Sequence, residues 1–346
     1  SGDYLFPFVQ YNTLGDENYA DRTRKPWRDY HADWLFNEET KKLTDPPKKK
    51  SFEVECASCH YTGYSLTPTA AGDFVAGSVD DPNGEADIDG NGTPNELNIG
   101  CEVCHGPGSE HIKAPKMKKA ATIVSPRKLS PARASVICEQ CHSRPQGNLT
   151  NDQPVSKDNK MMMPGTSRNE FLVNYTTRED AAQKDFWPDE LHSKSHHQQG
   201  TDFIKSKKYR NGSHIMICTD CHDPHGMTEV KHQLKAEVRD AKNTLCTSCH
   251  TGTSDIKSHT NAKVGMEHTD IHCVDCHNTK TMVTGAGFGK GLERKDGKNY
   301  WMNDITSHIF DVPRKDNIGV KGVDPGKAMP IPYTNACGKC HNVDGL

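Results

Sequence analysis

The chain has 346 residues, of which 33% are hydrophobic, and its mean hydropathy is −0.82. Average soluble domains are about 45–50% apolar, so another group has to supply buried apolar surface here. The formal charge is −3 without a dominant basic cluster, which argues against a nucleic-acid partner. No apolar stretch approaches the roughly 18 residues that span a bilayer.

All 14 cysteines lie in seven Cys-x-x-Cys-His strings. This spacing is typical of c-type haem attachment, in which two thiols form thioethers with one porphyrin and the adjacent histidine binds iron. Zinc does not need a histidine directly after the second cysteine, and a disulfide framework would not repeat one pentapeptide seven times. We therefore expect seven haem c groups. The predicted attachment residues are Cys56, Cys59, His60, Cys101, Cys104, His105, Cys138, Cys141, His142, Cys218, Cys221, His222, Cys246, Cys249, His250, Cys273, Cys276, His277, Cys337, Cys340 and His341.

The motifs divide the chain into four segments. Residues 1–55 form an arm that lacks cysteine, is rich in aromatic side chains and is free of haem. We expect this arm to pack over haem faces or to reach a neighbouring subunit. Residues 56–142 form a three-haem group, residues 143–217 a bridging segment that carries distal histidines, and residues 218–346 a four-haem group.

Local patterns predict a mainly α fold with extensive irregular loops, little sheet and a core built from stacked haems. Ser130-Pro131 indicates a capped helix start, and the helix that follows would carry Cys138 and Cys141. Residues 179–199 also look helical, with Trp187-Pro188 as an interruption or restart. In such a helix, His192 and His196 would share one face.

Twelve histidines lie outside the motifs, and seven of them would suffice to give every iron a second imidazole. His259 and His268 lie between closely spaced motifs, where distal donors often fall. The run Met161-Met162-Met163 offers thioether ligation as an alternative.

Residues 101–111, Cys-Glu-Val-Cys-His-Gly-Pro-Gly-Ser-Glu-His, resemble the second haem motif of a multihaem cytochrome c family. That family is typified by the tetrahaem carrier of ammonia oxidisers and shares its haem packing with hydroxylamine oxidoreductase. The resemblance implies that His111 ligates a different haem. The segment that begins Leu-His-Ser-Lys-Ser-His-His-Gln-Gln at Leu191 and extends to Asp202-Phe203 is similar to a ligand-bearing helix of the wider group. It implies His192, and either His196 or His197, as ligands.

Two further stretches carry the same resemblance, which covers residues 56–341. Cys-Thr-Asp-Cys-His-Asp-Pro-His-Gly resembles a widespread multihaem motif in which the second histidine, here His225, reaches a neighbouring haem. Asp-Ile-Thr-Ser-His before the last motif resembles another distal donor. The predicted distal ligands are His111, His192, His197, His225, His259, His268 and His308.

An EF-hand-type loop precedes the second haem motif. Its sequence Asp-Ile-Asp-Gly-Asn-Gly-Thr has oxygen donors at positions 1, 3 and 5 and glycine at position 6. Position 12 is Asn98 instead of a bidentate glutamate, so Glu96 or Glu85 would have to substitute. The predicted calcium ligands are Asp87, Asp89, Asn91, Thr93 and Glu96.

These features predict a protein that carries electrons through seven bis-histidine haems. Thioether attachment takes place outside the cytoplasm in bacteria and archaea, so we expect a periplasmic or extracellular protein whose secretion signal was removed before Ser1. Its partners would be redox proteins or an extracellular acceptor, without a membrane span. Copies could also stack into a conducting filament, with His31 of the arm serving a neighbour. The alternative is a multihaem oxidoreductase that acts on a nitrogen or sulfur oxyanion at one open haem.

Overall fold

The computed structural model describes residues 9–11, 27–29, 34–81, 83–84, 86–147, 155–156, 158–176, 185–187, 191–282, 292–293, 299–300, 305–311 and 336–337. The chain divides into two compact units, formed mainly by Arg24–Ala181 and Ala182–Leu346. Three motifs lie in the first unit and four in the second. The boundary falls inside the predicted bridging segment, and the four predicted segments stay predictions.

The α-helices of the described residues are short, and most have only one or two turns. Their bounds are α1 Phe52–Glu55, α2 Ala57–His60, α3 Cys101–His105, α4 Ser109–Lys113, α5 Pro131–His142, α6 Arg168–Asn174, α7 Gln199–Lys205, α8 Cys218–Cys221, α9 Thr244–Thr247, α10 Ile256–Val264 and α11 Cys273–His277. Irregular connections join most of them. The fold is therefore mixed but leans towards helix, and the prediction of helices with extensive loops is confirmed in this form. The stacked-haem core stays a prediction.

Strands in the described residues pair only two at a time, always antiparallel. The pairs are β1–β2, β3–β4, β5–β6, β7–β8, β9–β12 and β10–β11. Isolated two-stranded hairpins are marginally stable at best, so these sheets depend on what packs against them. The strand bounds are β1 Val9–Tyr11, β2 Trp27–Asp29, β3 Phe36–Asn37, β4 Lys42–Leu43, β5 Ser65–Pro68, β6 Phe74–Gly77, β7 Gln146–Gly147, β8 Tyr175–Thr176, β9 Lys280–Met282, β10 Leu292–Glu293, β11 Asn299–Tyr300 and β12 Ile305–Thr306.

A small apolar cluster joins the first haem motif to the β5–β6 hairpin. Val54 and Ala57, on either side of Cys56, pack with Leu66 of β5 and with Tyr64. The Tyr64 hydroxyl is buried and donates a hydrogen bond of 2.7 Å to the Glu53 carbonyl. The first motif is thereby anchored to a hairpin that lies later in the chain.

The longest described helix, α5, carries the third motif in its last turn. The helix starts with Pro131 directly after Ser130, as predicted, although the Ser130 side chain makes no capping hydrogen bond. Buried Glu139 of α5 pairs with Arg168 of α6. The two helices are therefore joined by an ion pair as well as by apolar contacts.

The prediction of a helix over residues 179–199 is wrong for the part that is described. Phe186 and Ser193 form an antiparallel bridge, and the Trp187 amide donates to the His192 carbonyl at 3.0 Å. Hydrogen bonding between these two short stretches replaces helical bonding, and α7 begins only at Gln199. His192 and His196 therefore do not share a helical face.

Replacing Phe171 by alanine tests the contact between α5 and α6. Phe171 is fully buried and packs with Val136, Met162 and Tyr175. We expect the free energy of unfolding of the haem-loaded protein to fall by about 3–5 kcal/mol in a denaturant titration, because a large cavity is left. Leu172→Ala is the matched control, since its side chain is 42% exposed and its loss should cost about 0.5 kcal/mol or less. Equal losses in both variants would contradict this packing.

Candidate haem-attachment sites

Three motifs lie on continuous helix. The second motif forms α3, the sixth forms α11, and the third forms the last turn of α5. Residues three and four apart share one face of a helix, so both thiols and the histidine of each motif project to one side. This arrangement suits attachment to one porphyrin edge.

The other described motifs interrupt their helices. The first motif is divided at Cys56, which lies between α1 and α2. The fourth motif leaves helix at His222, whose backbone is extended, and α9 ends before Cys249 of the fifth motif. Of the seventh motif only Cys337 lies within the described residues, whereas Cys340 and His341 lie outside them.

None of the thirteen described cysteines forms a disulfide. Burial raises the pKa of Cys56 to about 12, with a further contribution from the charge of Glu55. Burial also raises the pKa of Cys221 to about 11. The thiols of Cys56 and Cys221 are therefore protonated, and none of the described cysteines is taken up by a disulfide, so the residues present fit haem c.

The proximal histidines of three motifs have their Nδ1 atoms held by backbone carbonyls. The distances are 2.8 Å from His105 to Val124, 2.9 Å from His222 to His232 and 3.0 Å from His277 to Asp311. A carbonyl only accepts hydrogen bonds, so Nδ1 has to carry the proton. The Nε2 atom is left with its lone pair, as iron ligation requires.

Two proximal histidines have a lowered pKa. For His277 the main cause is burial. For His250 the main cause is the positive charge of Lys208, whose Nζ lies 2.7 Å from the His250 Nε2. A metal binds the neutral imidazole, so the shift of His277 favours the form that ligates iron. In His250 the Lys208 ammonium donates to Nε2, so this lysine would have to move before that atom could bind iron.

Two predicted distal histidines lie opposite motif histidines within the second unit. The ring centroids of His308 and His222 are 6.1 Å apart, and the two planes are inclined by 19°. The rings of His259 on α10 and His277 are 6.3 Å apart and inclined by 38°. In the first unit, the Nδ1 atom of His111 on α4 lies 3.0 Å from the Lys119 carbonyl oxygen.

The remaining predicted distal histidines have different surroundings, and their ligand roles stay predictions. His192 is buried, whereas the His225 side chain is 71% exposed and lies 3.8 Å from Asp223. The Nδ1 atoms of His196 and His197 are 2.6 Å apart. The half-buried His268 donates its backbone N–H to Thr260 at 3.1 Å.

Thiols of different motifs lie near one another in the folded chain, and the sequence did not predict which motifs would be neighbours. In the first unit, Cys59 and Cys141 are near enough to interact, and this interaction raises the pKa of Cys141 well above its usual range and lowers that of Cys59. Cys104 lies close enough for its charge to raise the pKa of Cys141 further. Attachment points of the first three motifs are thus grouped around Cys141.

The second unit repeats this grouping. Cys246 and Cys273 are near enough to interact, and this interaction raises the pKa of Cys273 and lowers that of Cys246. Cys221 is also close, since its charge acts on the pKa of Cys246. Attachment points of the fourth, fifth and sixth motifs therefore lie near one another.

Asp202 of α7 is a buried residue that sequence reasoning missed. Its carboxylate accepts hydrogen bonds from the Ser193 amide at 3.0 Å and from the Ser307 hydroxyl at 2.5 Å. Burial raises the pKa of Asp202, and these hydrogen bonds oppose that shift. No local sequence pattern marks the residue, because Ser307 lies 105 residues further along the chain.

The predicted calcium loop forms a tight turn closed by its own hydrogen bonds. The Gly92 amide donates to Asp87 at 2.8 Å, and the Asn91 amide donates to Asp89 at 3.2 Å. Gly92 has φ +85°, as expected for the glycine at position 6. Among the residues that the structure covers, no group of three His, Cys, Asp or Glu side chains forms a metal site. Calcium binding stays a prediction.

Removing both thiols of the second motif tests covalent attachment. We expect Cys101→Ala/Cys104→Ala to carry one haem fewer per chain than the parent, because its histidine alone cannot hold haem covalently. Intact-mass spectrometry of the denatured protein measures this number. The control is Glu102→Gln, which keeps an oxygen to accept the Gly108 amide and should retain every haem. An unchanged mass increment in the double variant would contradict the assignment.

A family model described as "Doubled CXXCH motif" matches residues 210–255, which contain the fourth and fifth motifs. No significant match to the chain was found among curated proteins or among solved structures. Within the described residues, no helix is long and apolar enough to cross a membrane. The matched doubled motif and its repetition along the chain support a multihaem c-type cytochrome with covalently bound haem c.

Proposed function

We propose that the chain carries electrons outside the cytoplasm through seven haems, one at each motif. The grouping of thiols from different motifs supports this most directly. Cys59 and Cys141 are near enough to act on each other's pKa, and so are Cys246 and Cys273. Each thiol would be bonded to the edge of its own porphyrin. The edges of two porphyrins bonded to neighbouring thiols would therefore lie close together.

The grouping of thiols predicts the order in which the haems lie. In the first unit Cys141 is close to both Cys59 and Cys104, so the third haem would lie between the first and the second. In the second unit Cys246 is close to both Cys221 and Cys273. The fifth haem would accordingly lie between the fourth and the sixth. Bound haem would supply a one-electron iron couple, and haems attached at thiols grouped in this way would be close enough to exchange electrons.

Bis-histidine ligation is the second part of the proposal. A sixth ligand leaves no open position on iron, which suits electron transfer better than substrate binding. His308 and His259 support it, because each faces a motif histidine at a ring separation near 6 Å. His111, His192, His197, His225 and His268 remain candidates for the other distal positions.

Assembly of copies into an extracellular filament is a further proposal, and it concerns the N-terminal arm. Tyr11 and Trp27 lie on paired strands, their ring centroids are 4.9 Å apart, and they are 54% and 60% exposed. Exposed aromatic side chains are common anchors of protein interfaces. The arm could therefore dock on a second copy. His31, the predicted ligand in trans, lies outside the described residues.

Localisation follows from the cofactor. Cytochromes with haem c are typically extracytoplasmic, because the thioethers are formed outside the cytoplasm. Within that space we propose the extracellular side, since a filament would carry electrons to an acceptor beyond the cell. Redox proteins or an extracellular acceptor would then be the partners.

The calcium proposal concerns the loop of Asp87 and Asp89, which precedes α3. We expect calorimetric titration of the haem-loaded parent with CaCl₂ to show one site, whose ion would hold this loop. Asp87→Asn/Asp89→Asn should abolish the binding heat, because two carboxylate charges are removed. Exposed Asp45→Asn is the control and should bind like the parent. Absence of binding heat in the parent would refute the site.

Electron paramagnetic resonance of the oxidised protein, combined with electron microscopy of the same sample, tests the main proposal. We expect only low-spin ferric signals, since each iron would have two imidazole ligands. Filaments on the grid would support the assembly proposal, and single particles alone would contradict it. A high-spin signal that shifts on addition of nitrite or hydroxylamine would contradict the carrier and favour the oxidoreductase.

A further inference from the structure

The ring separation of His222 and His308 is the one expected for two histidine ligands on one metal atom. Metal–nitrogen bonds to histidine are about 2 Å long and the ring centre lies about 1 Å further, so trans imidazoles have centroids about 6 Å apart. The observed separation is 6.1 Å, with planes inclined by only 19°. This distance alone does not identify a ligand pair. The rings of Phe52 and His60 are 6.2 Å apart, and phenylalanine cannot bind a metal.

Hydrogen bonding distinguishes this pair from a chance ring contact. The Nδ1 atom of His222 lies 2.9 Å from the His232 carbonyl oxygen, and that of His308 lies 3.2 Å from the Thr306 carbonyl oxygen. Each Nδ1 must therefore donate, which leaves both Nε2 atoms unprotonated. Backbone acceptors of this kind orient metal-binding histidines and fix their tautomer.

The segment that carries His308 is held by Asp202. One carboxylate oxygen, Oδ2, accepts from the Ser307 hydroxyl at 2.5 Å and from the His308 backbone amide at 3.3 Å. The other oxygen, Oδ1, accepts from the Ser193 amide at 3.0 Å. Asp202 is fully buried, so these donors take the place of water around a group that is costly to bury.

Additional contacts hold the same segment from the opposite direction. The Ser307 amide donates to the Thr279 carbonyl at 2.7 Å, just before β9, and β12 pairs with β9. The backbone on both sides of Ser307 is therefore bound to α7 and to β9. Movement of His308 away from His222 would require several of these buried hydrogen bonds to break.

We propose that His222 and His308 are the two axial ligands of the haem attached to Cys218 and Cys221, and that Asp202 is the positioning residue for His308. This inference rests on the proposed bis-histidine carrier and adds the specific pair. Asp202 does not touch the iron. Its role is to place the His308 ring opposite the fourth motif.

The test measures spin states in the haem-loaded full chain by electron paramagnetic resonance. His308→Ala should convert one haem per chain from low-spin to high-spin, and added imidazole should restore the low-spin signal. Asp202→Asn should produce part of the same change, because the amide keeps the volume but accepts fewer of the three hydrogen bonds. The double variant should show no more high-spin haem than His308→Ala alone, because both residues act on one site.

Controls separate a positioning role from a loss of folding. Glu229→Gln removes a charge from an exposed position of the same unit and should keep the parent spectrum. His308→Met should leave the haem count unchanged and raise the reduction potential of one haem, because thioether ligation raises potentials. This variant tests the pair even if His308→Ala fails to fold.

Two patterns would overturn the inference. In the first, His308→Ala leaves every haem low-spin, or His308→Met changes no potential. In the second, Asp202→Asn lowers only thermal stability, or its high-spin signal adds to that of His308→Ala, so that Asp202 is not the positioning residue. High-spin haem in the parent itself would instead contradict the bis-histidine carrier, so the two failures are distinguishable.

Discussion

Apolar side chains form only small clusters in the part of the chain that the structure describes, and the stability of the fold depends on what supplies the remaining apolar surface. The described apolar clusters are small, and the two-stranded sheets are too small to be stable alone. Thiols from three motifs in each unit are grouped together. Covalently bound porphyrins would fill the space around these thiols and supply the apolar surface that the side chains lack.

Buried hydrogen bonds between polar groups also stabilise the second unit. Asp202, Ser193, Thr281 and Ser307 are buried and joined through hydrogen bonds to the stretches around β9 and β12. The Trp187 indole donates to the Thr281 carbonyl at 2.9 Å in the same region. Such networks hold one arrangement when every member is satisfied, and they become costly when one partner is removed. The segment that carries His308, a predicted ligand, is thereby placed without a large apolar core.

Backbone carbonyl groups fix the tautomer of three motif histidines. Carbonyl oxygens of Val124, His232 and Asp311 each lie within 3.0 Å of a motif histidine Nδ1. Each acceptor lies in a connection outside the motif helices. The irregular loops would therefore be part of the predicted attachment sites, because they determine which imidazole nitrogen would be left for iron.

The sequence by itself determined the cofactor class and the start of α5 at Pro131, and it predicts the attachment residues, because each depends on spacings of a few residues. It did not predict the bridge between Phe186 and Ser193, where long-range hydrogen bonds replaced a locally plausible helix. Only the tertiary structure brought Cys59 to Cys141 and Asp202 to the His308 segment, 106 residues further along. Such contacts are made by chain folding over long separations, which no local periodicity encodes.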